Sequence, residues 1–87
     1  MMRKYLITYK ELKKYGSGDP LHRTVIVSKV SGDTAKDAKA ALGVFIASTG
    51  TLKRNEIISI QELGPDNKPF GEPIVPMGEN SIIPLRK

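Results

Sequence analysis

The sequence contains no cysteine, a single histidine, and no uninterrupted apolar run longer than Ala41 to Ala47. Each absence excludes something. Without cysteine there is no disulfide and no thiolate metal site, and a reducing compartment is permitted, so cytoplasm is the expected location. One histidine beside scattered acids, from Asp19 through Glu79, offers no zinc or calcium spacing. The longest apolar run falls far short of the roughly 20 residues of a membrane span. At the start, MMRKYLITYK, only five uncharged residues separate Lys4 from Lys10, too few for the apolar core of a signal peptide. No membrane association, metal or cofactor is expected.

What is present is basic charge, unevenly placed. The 87 residues carry a net charge of +5. Residues 1–30 hold seven Lys/Arg against two acids, residues 31–60 four against three, and residues 61–87 three against four. The first third therefore accounts for the excess. A localised positive field attracts polyanions, nucleic acid foremost among them. A chain of this length forms one small core and buries about 60–65 % of its unfolded surface.

Periodicity gives the elements. KYLITYK (4–10) alternates Tyr5, Ile7 and Tyr9 against Leu6 and Thr8, and RTVIVSKV (23–30) is rich in β-branched residues. Both read as strands, paired as a hairpin. In SGDTAKDAKAALGVFIASTG the period changes. Asp33 or Thr34 can cap a helix, with Asp37 placed as the acid of a capping box and Gly50 to end it. Ala38, Ala41, Leu42, Phe45, Ile46 and Thr49 form its core face, while Lys36, Ala40, Gly43 and Ala47 form an opposite stripe of mainly small residues. A glycine inside a helix suggests close approach of another surface, such as a second subunit, while exposed alanines serving simply as helix formers account for the rest of the stripe.

NEIISIQEL (55–63) reads as a third strand, with Ile58 and Ile60 on one face and Ile57 and Leu63 on the other. GPDNKP reverses the chain, and 70–75 is expected to return as a short fourth strand. Five of the six prolines lie in the last 23 residues, alongside Ile74, Val75, Ile82, Ile83 and Leu85. That composition predicts an arm along a sheet edge or a partner. The expected architecture is α+β, in the order β-β-α-β-β, with one helix on one face of an antiparallel sheet. Residues 1–63 form the β-β-α-β core, and 64–87 the turn, short strand and Pro-rich C-terminal arm of the same domain.

The segment KKYGSGDPLHR (13–23) holds the residue types of active sites. Its glycines lead into a strand, whereas both the Walker A loop and the dinucleotide fingerprint lead into a helix. Ser17, Asp19 and His22 share one glycine-rich loop, which cannot hold the geometry of a hydrolase triad. Glu56 and Glu62 share a strand face about 20 Å apart, beyond reach of paired acid/base work. No enzyme is expected, and the segment reads as a long hairpin connection. A noncatalytic module that binds nucleic acid or another phosphate-bearing ligand is expected, through Lys10, Lys13, Lys14 and Arg23 around that connection, and Lys53 and Arg54 before the third strand. Tyr15, in the loop, is the freer candidate for stacking a base, since Tyr5 and Tyr9 share a face with Ile7.

Two resemblances bear on function. GTLKRNEIISIQEL, with its hairpin, glycine-ended helix, basic segment and I-x-I-x-E strand, resembles the archaeal ribosomal protein LX family over residues 4–63. That likeness implies RNA contact through Lys53 and Arg54 and leaves the Pro-rich end unmatched. The MMRKYLITYK start, the compact α+β body and the lysine-ended tail resemble small early-region proteins of phages of low-GC Gram-positive bacteria. This implies an accessory protein that engages a host protein, such as a component of antiviral defence. A homo-oligomer is also expected, from the sheet edge, the helix stripe and the apolar arm.

Overall fold

The structure is a computed structural model and describes residues 2–13, 15–28, 30–49, 54–76 and 82–83. It is an α+β fold in which one helix covers part of one face of a small antiparallel sheet. Three strands carry the sheet: β1 (Arg3–Lys13), β3 (Leu21–Val27) and β4 (Asn55–Leu63). Two further strands, β2 (Gly16–Ser17) and β5 (Ile82–Ile83), are two residues long. The central strand is β1, antiparallel to β3 on one side and to β4 on the other. The helix α1 (Thr34–Thr49) connects those outer strands, which makes a split β-α-β arrangement.

The alternation of β1 is realised as the sequence indicates. Tyr5 and Ile7 are buried, Tyr9 is half-buried, and all three face α1. Val25 and Val27 from β3, Ala38, Ala41 and Phe45 from α1, and Ile57 and Ile60 from β4 complete the core. The Tyr9 and Phe45 rings meet edge to face at 4.8 Å, a favourable geometry for aromatic quadrupoles.

Four expectations need correction. First, residues 13–23 are not one long loop. β1 runs on to Lys13, pairs Lys13 with Gly16 and Leu12 with Ser17, and so reverses within two residues. Gly16 takes φ +101°, a conformation side chains resist. Lys10 and Glu11 then face Gly18, Asp19 and Pro20, an extra residue that makes a bulge before Tyr9 pairs with Leu21. The segment is therefore a tight turn, a bulge and the start of β3.

Second, β4 does not present Ile58 and Ile60 together. Thr8 pairs with Ser59 while Tyr9 pairs with Ile57, so Ile58 is the extra residue of a bulge. The bulge shifts the alternation by one, and Ile57 and Ile60 both reach the core.

Third, the strand expected over 70–75 is reduced to isolated bridges, Leu63 with Pro69 and Ile60 with Ile74. Pro69 and Pro73 lack amide donors and Gly71 sits at φ +75°, which breaks a continuous ladder. The turn before it forms as read. Asn67 N donates to Gly64 O at 2.9 Å and Asn67 takes φ 62°, a four-residue turn that ends on a left-handed residue. Of the expected arm, Ile82 and Ile83 pair with Glu56 and Asn55; residues 77–81 and 84–87 lie outside the described residues.

Fourth, Asp37 is not the acid of a capping box. Asp33 caps α1, its Oδ1 accepting from Ala35 N at 3.0 Å and Lys36 N at 3.4 Å. Asp37 points back into the connection from β3, as described below.

Candidate functional site

The register of β1 with β4 decides which basic residues meet. Glu11 pairs with Asn55, and one residue further Leu12 N donates to Arg54 O at 2.8 Å. Arg54, exposed, is thereby fixed beside the stem of the β1–β2 hairpin. Tyr15 stands at the hairpin tip, 89 % exposed. The backbone of Lys13 belongs to this stem; its side chain, Lys14 and Lys53 lie outside the described residues. Sequence-distant basic segments thus converge on one end of the sheet.

Lys10 and Arg23 flank that end on opposite faces. Lys10, half-buried, lies across from Glu56 on the face without the helix. Arg23 pairs with Ile7 and so belongs to the helix-bearing face, exposed at the β3 edge. A ligand that met both would have to wrap the edge. His22 shares a 3.0 Å hydrogen bond with Thr8 across the open face. That bond engages the ring within the sheet, whereas Ser17 and Asp19 belong to the turn and the bulge. Among the described residues, no three His, Asp or Glu side chains gather to hold a metal ion, and no helix is long and apolar enough to cross a membrane.

The opposite end of β1 holds a polar cluster that the sequence reading missed. Arg3 Nη1 lies 3.4 Å from Asp37 Oδ2 and 3.6 Å from Glu62 Oε1. Asp37 is 2 % exposed. Its Oδ1 accepts from Ser31 N at 2.8 Å and Ser31 Oγ at 3.1 Å, and its Oδ2 from Gly32 N at 3.3 Å. These donors, the Ser31 amide first, hold its carboxyl below the ordinary value of 3.8, with Arg3 adding to them against the opposing effect of burial. Beneath Arg3 lies the buried Tyr5 hydroxyl, outside hydrogen-bonding geometry. Burial raises its pKa above 10.0 while Arg3 pulls the other way. One signal was available: Ser-Gly just before a helix, with an acid five or six residues on, supplies two amides and a hydroxyl to a carboxylate that can fold back. The cluster fastens the β3–α1 connection to β1 and β4.

The two ends therefore differ chemically. One is closed and internally paired, with acids matching Arg3. The other exposes Tyr15 at the hairpin tip and Arg54 beside its stem. The face of the sheet away from α1 carries Lys4, Leu6, Thr8, His22, Thr24, Ile26 and Ser59; among the described residues of these strands its one ring is the His22 imidazole, engaged with Thr8, which is not the array of aromatics that single-strand binders use. No protein-family model, no curated protein and no solved structure matches this chain.

Proposed function

We propose that this protein is a noncatalytic binding module whose hairpin end takes nucleic acid through its phosphates. The observation that carries the reading is the Leu12–Arg54 backbone contact, which brings Arg54 to a hairpin that also contributes Lys10, Lys13 and Lys14. Phosphate contacts of this sort position a polyanion without reading its sequence. Tyr15 adds one ring for stacking, enough for a preference for unpaired bases and too little for a code. Arg23, on the other face, serves as a flanking contact, and Lys53 extends the Arg54 segment in sequence. The LX resemblance, with its basic segment at Lys53 and Arg54, supports RNA as the natural class.

The test is a binding titration against single-stranded RNA, single-stranded DNA and duplex at several salt concentrations. Affinity is expected to fall steeply with salt, with a slope of about −0.7 per phosphate neutralised on single strands. The variant carrying Lys13→Ala, Lys14→Ala and Arg54→Ala should lose affinity uniformly across sequences and flatten that slope. A flat salt response in the unaltered protein would sink the reading.

A second reading draws on the C-terminal segment, where Phe70 and Val75 are 63 % and 60 % exposed. Such side chains suit a protein partner, and the phage-protein resemblance implies a host one. The two readings separate in a host-lysate pull-down with and without nuclease. A partner retained after nuclease, and lost on Phe70→Ser with Val75→Ser, supports the second.

A further inference from the structure

The sheet has two lateral edges, and this sequence treats them in opposite ways. Along the outer edge of β4 the returning chain makes isolated bridges at Pro69 and Ile74 and a two-residue pairing at Ile82 and Ile83. Pro69, Pro73 and Pro76 interrupt it. Proline along an edge is a common device against further strand addition. Within Leu21–Val27 the β3 edge has no such device, Pro20 and the bulge lying just before it. LHRTVIV contains no proline, pairs with β1 in unbroken register from Leu21 to Val27, and has one formal charge, Arg23. Among the described residues nothing pairs with its outer side.

The flank of α1 above that edge is uncharged too. The side of α1 toward β4 is fixed by a groove of about 660 Å³, which Ala35, Lys39 and Leu42 line together with Ile60 and Ile74. At 3.6 residues per turn, the flank on the β3 side carries Ala40, Val44, Ala47 and Ser48. All four are exposed, Val44 at 37 %. Between them the open edge and these four helix positions carry one charge, Arg23, with Lys36 at the margin of the flank one turn before Ala40.

We propose that a second copy of this chain pairs with it through β3, antiparallel, about a two-fold axis at Thr24. That register sets Leu21 against Val27, His22 against Ile26 and Arg23 against Val25, with Thr24 facing its own twin. All seven residues pair, and the two arginines are offset. Centring the axis on Arg23 instead would place like charges directly opposite, which is destabilising. The helices fit the same axis. Because α1 packs mainly on β3 and also on β1, its axis stands about one strand spacing, roughly 5 Å, from the two-fold. Two copies of α1 would then run side by side about 10 Å apart, the outer range of packed helices, with Ala40, Val44 and Ala47 between them. The assembly also closes. After β3 joins β3, both remaining edges are the proline-interrupted ones, so the sheet stops at two copies and does not grow into a fibre.

The absence of cysteine makes the test clean. Thr24→Cys should form a covalent dimer under mild oxidation, because the two thiols face each other across the axis. Ile26→Cys should not, since its twin lies four residues away, about 13 Å along the strand. Light scattering of the unaltered protein should give a mass rising from one to two chains with concentration. Val44→Glu, which sets two carboxylates beside each other at the helix flanks, should raise the dissociation constant by about tenfold or more while leaving the circular dichroism spectrum unchanged. A monomer mass up to near-millimolar concentration, or equal cross-linking of the Thr24→Cys and Ile26→Cys variants, overturns the proposal. Should Val44→Glu fail to fold, the cysteine pair decides alone. None of these variants touches the hairpin end, so the nucleic-acid reading stands or falls separately.

Discussion

At its first residues β1 joins charge to charge; at its last it leads into a hairpin whose tip, Tyr15, is exposed. Arg3 is held between Asp37 and Glu62 beside the β3–α1 connection, whereas Tyr15 and Arg54 are exposed around the hairpin that β1 continues into. On the proposed reading the two ends use cations for two purposes. Where a cation meets a buried, hydrogen-bonded carboxylate it serves folding. On the proposed reading, the cations that the hairpin segment contributes in sequence leave their interaction energy for an anionic ligand.

The largest test of this contrast is Asp37→Ala. It removes the acceptor of three hydrogen bonds from Ser31 and Gly32 and leaves Arg3 with Glu62 alone. The melting temperature should fall by about 10 °C or more, a large shift for a chain of this size, while the salt slope of nucleic-acid binding stays as it was. The same residue sets an acid limit. Because the folded pKa of Asp37 lies below its unfolded value of 3.8, the native state binds fewer protons there than the unfolded state. Its stabilisation is complete above that value and is lost as pH falls through the folded pKa. Asp37→Asn should therefore lower stability at neutral pH and flatten the acid limb of a stability profile, measured by denaturant titration from pH 7 downward. An acid limb as steep in the variant as in the unaltered protein would assign the limit elsewhere.

A smaller effect, opposite in kind, is expected at the hairpin end. The variant lacking Lys13, Lys14 and Arg54 should lose binding and keep its stability, since surface substitutions away from packed features shift it by no more than about 0.5 kcal/mol each. It could even gain slightly, as like charges are removed. A melting temperature that fell with binding would mean that these residues support the fold, and the contrast between the ends would collapse.

The parts of this architecture that the sequence discloses are those written in a period. The alternation of Tyr5, Ile7 and Tyr9, the three- and four-residue steps from Ala38 to Ile46, and the bounds of NEIISIQEL all correspond to observed elements. What stays hidden is what breaks a period. Ile58 looks like any strand isoleucine, yet as a bulge residue it reverses the faces of Ile57 and Ile60 relative to simple alternation. Glycines, serine and proline in KKYGSGDPLHR suggest a loop. They encode instead a two-residue reversal at Gly16 and a bulge ending at Pro20, because β1 extends far enough to pair with both. The partial convergence of the basic segments was equally invisible in the chain order. It follows from a strand register that local composition does not specify, and that register also separates Lys10 from Arg23.

Between the two ends lies a position that calibrates both. Gly43 sits inside α1, and a Cβ added there would meet nothing within 4 Å. Its place in a stripe of small residues suggests close approach of a partner. The orientation of α1 argues otherwise, since Gly43 points away from the sheet and off the flank that overhangs β3. Gly43→Ala should therefore raise stability by about 1 kcal/mol, the difference in helix propensity, and change neither the salt slope nor the concentration at which the chain dimerises. That makes it a background for the other variants. If the hairpin substitutions act on ligand and not on folding, their binding loss should be the same size in the Gly43→Ala background as in the unaltered one. A weakened dimer in Gly43→Ala would instead place the helix stripe at the contact, and would move the two-fold axis away from Thr24.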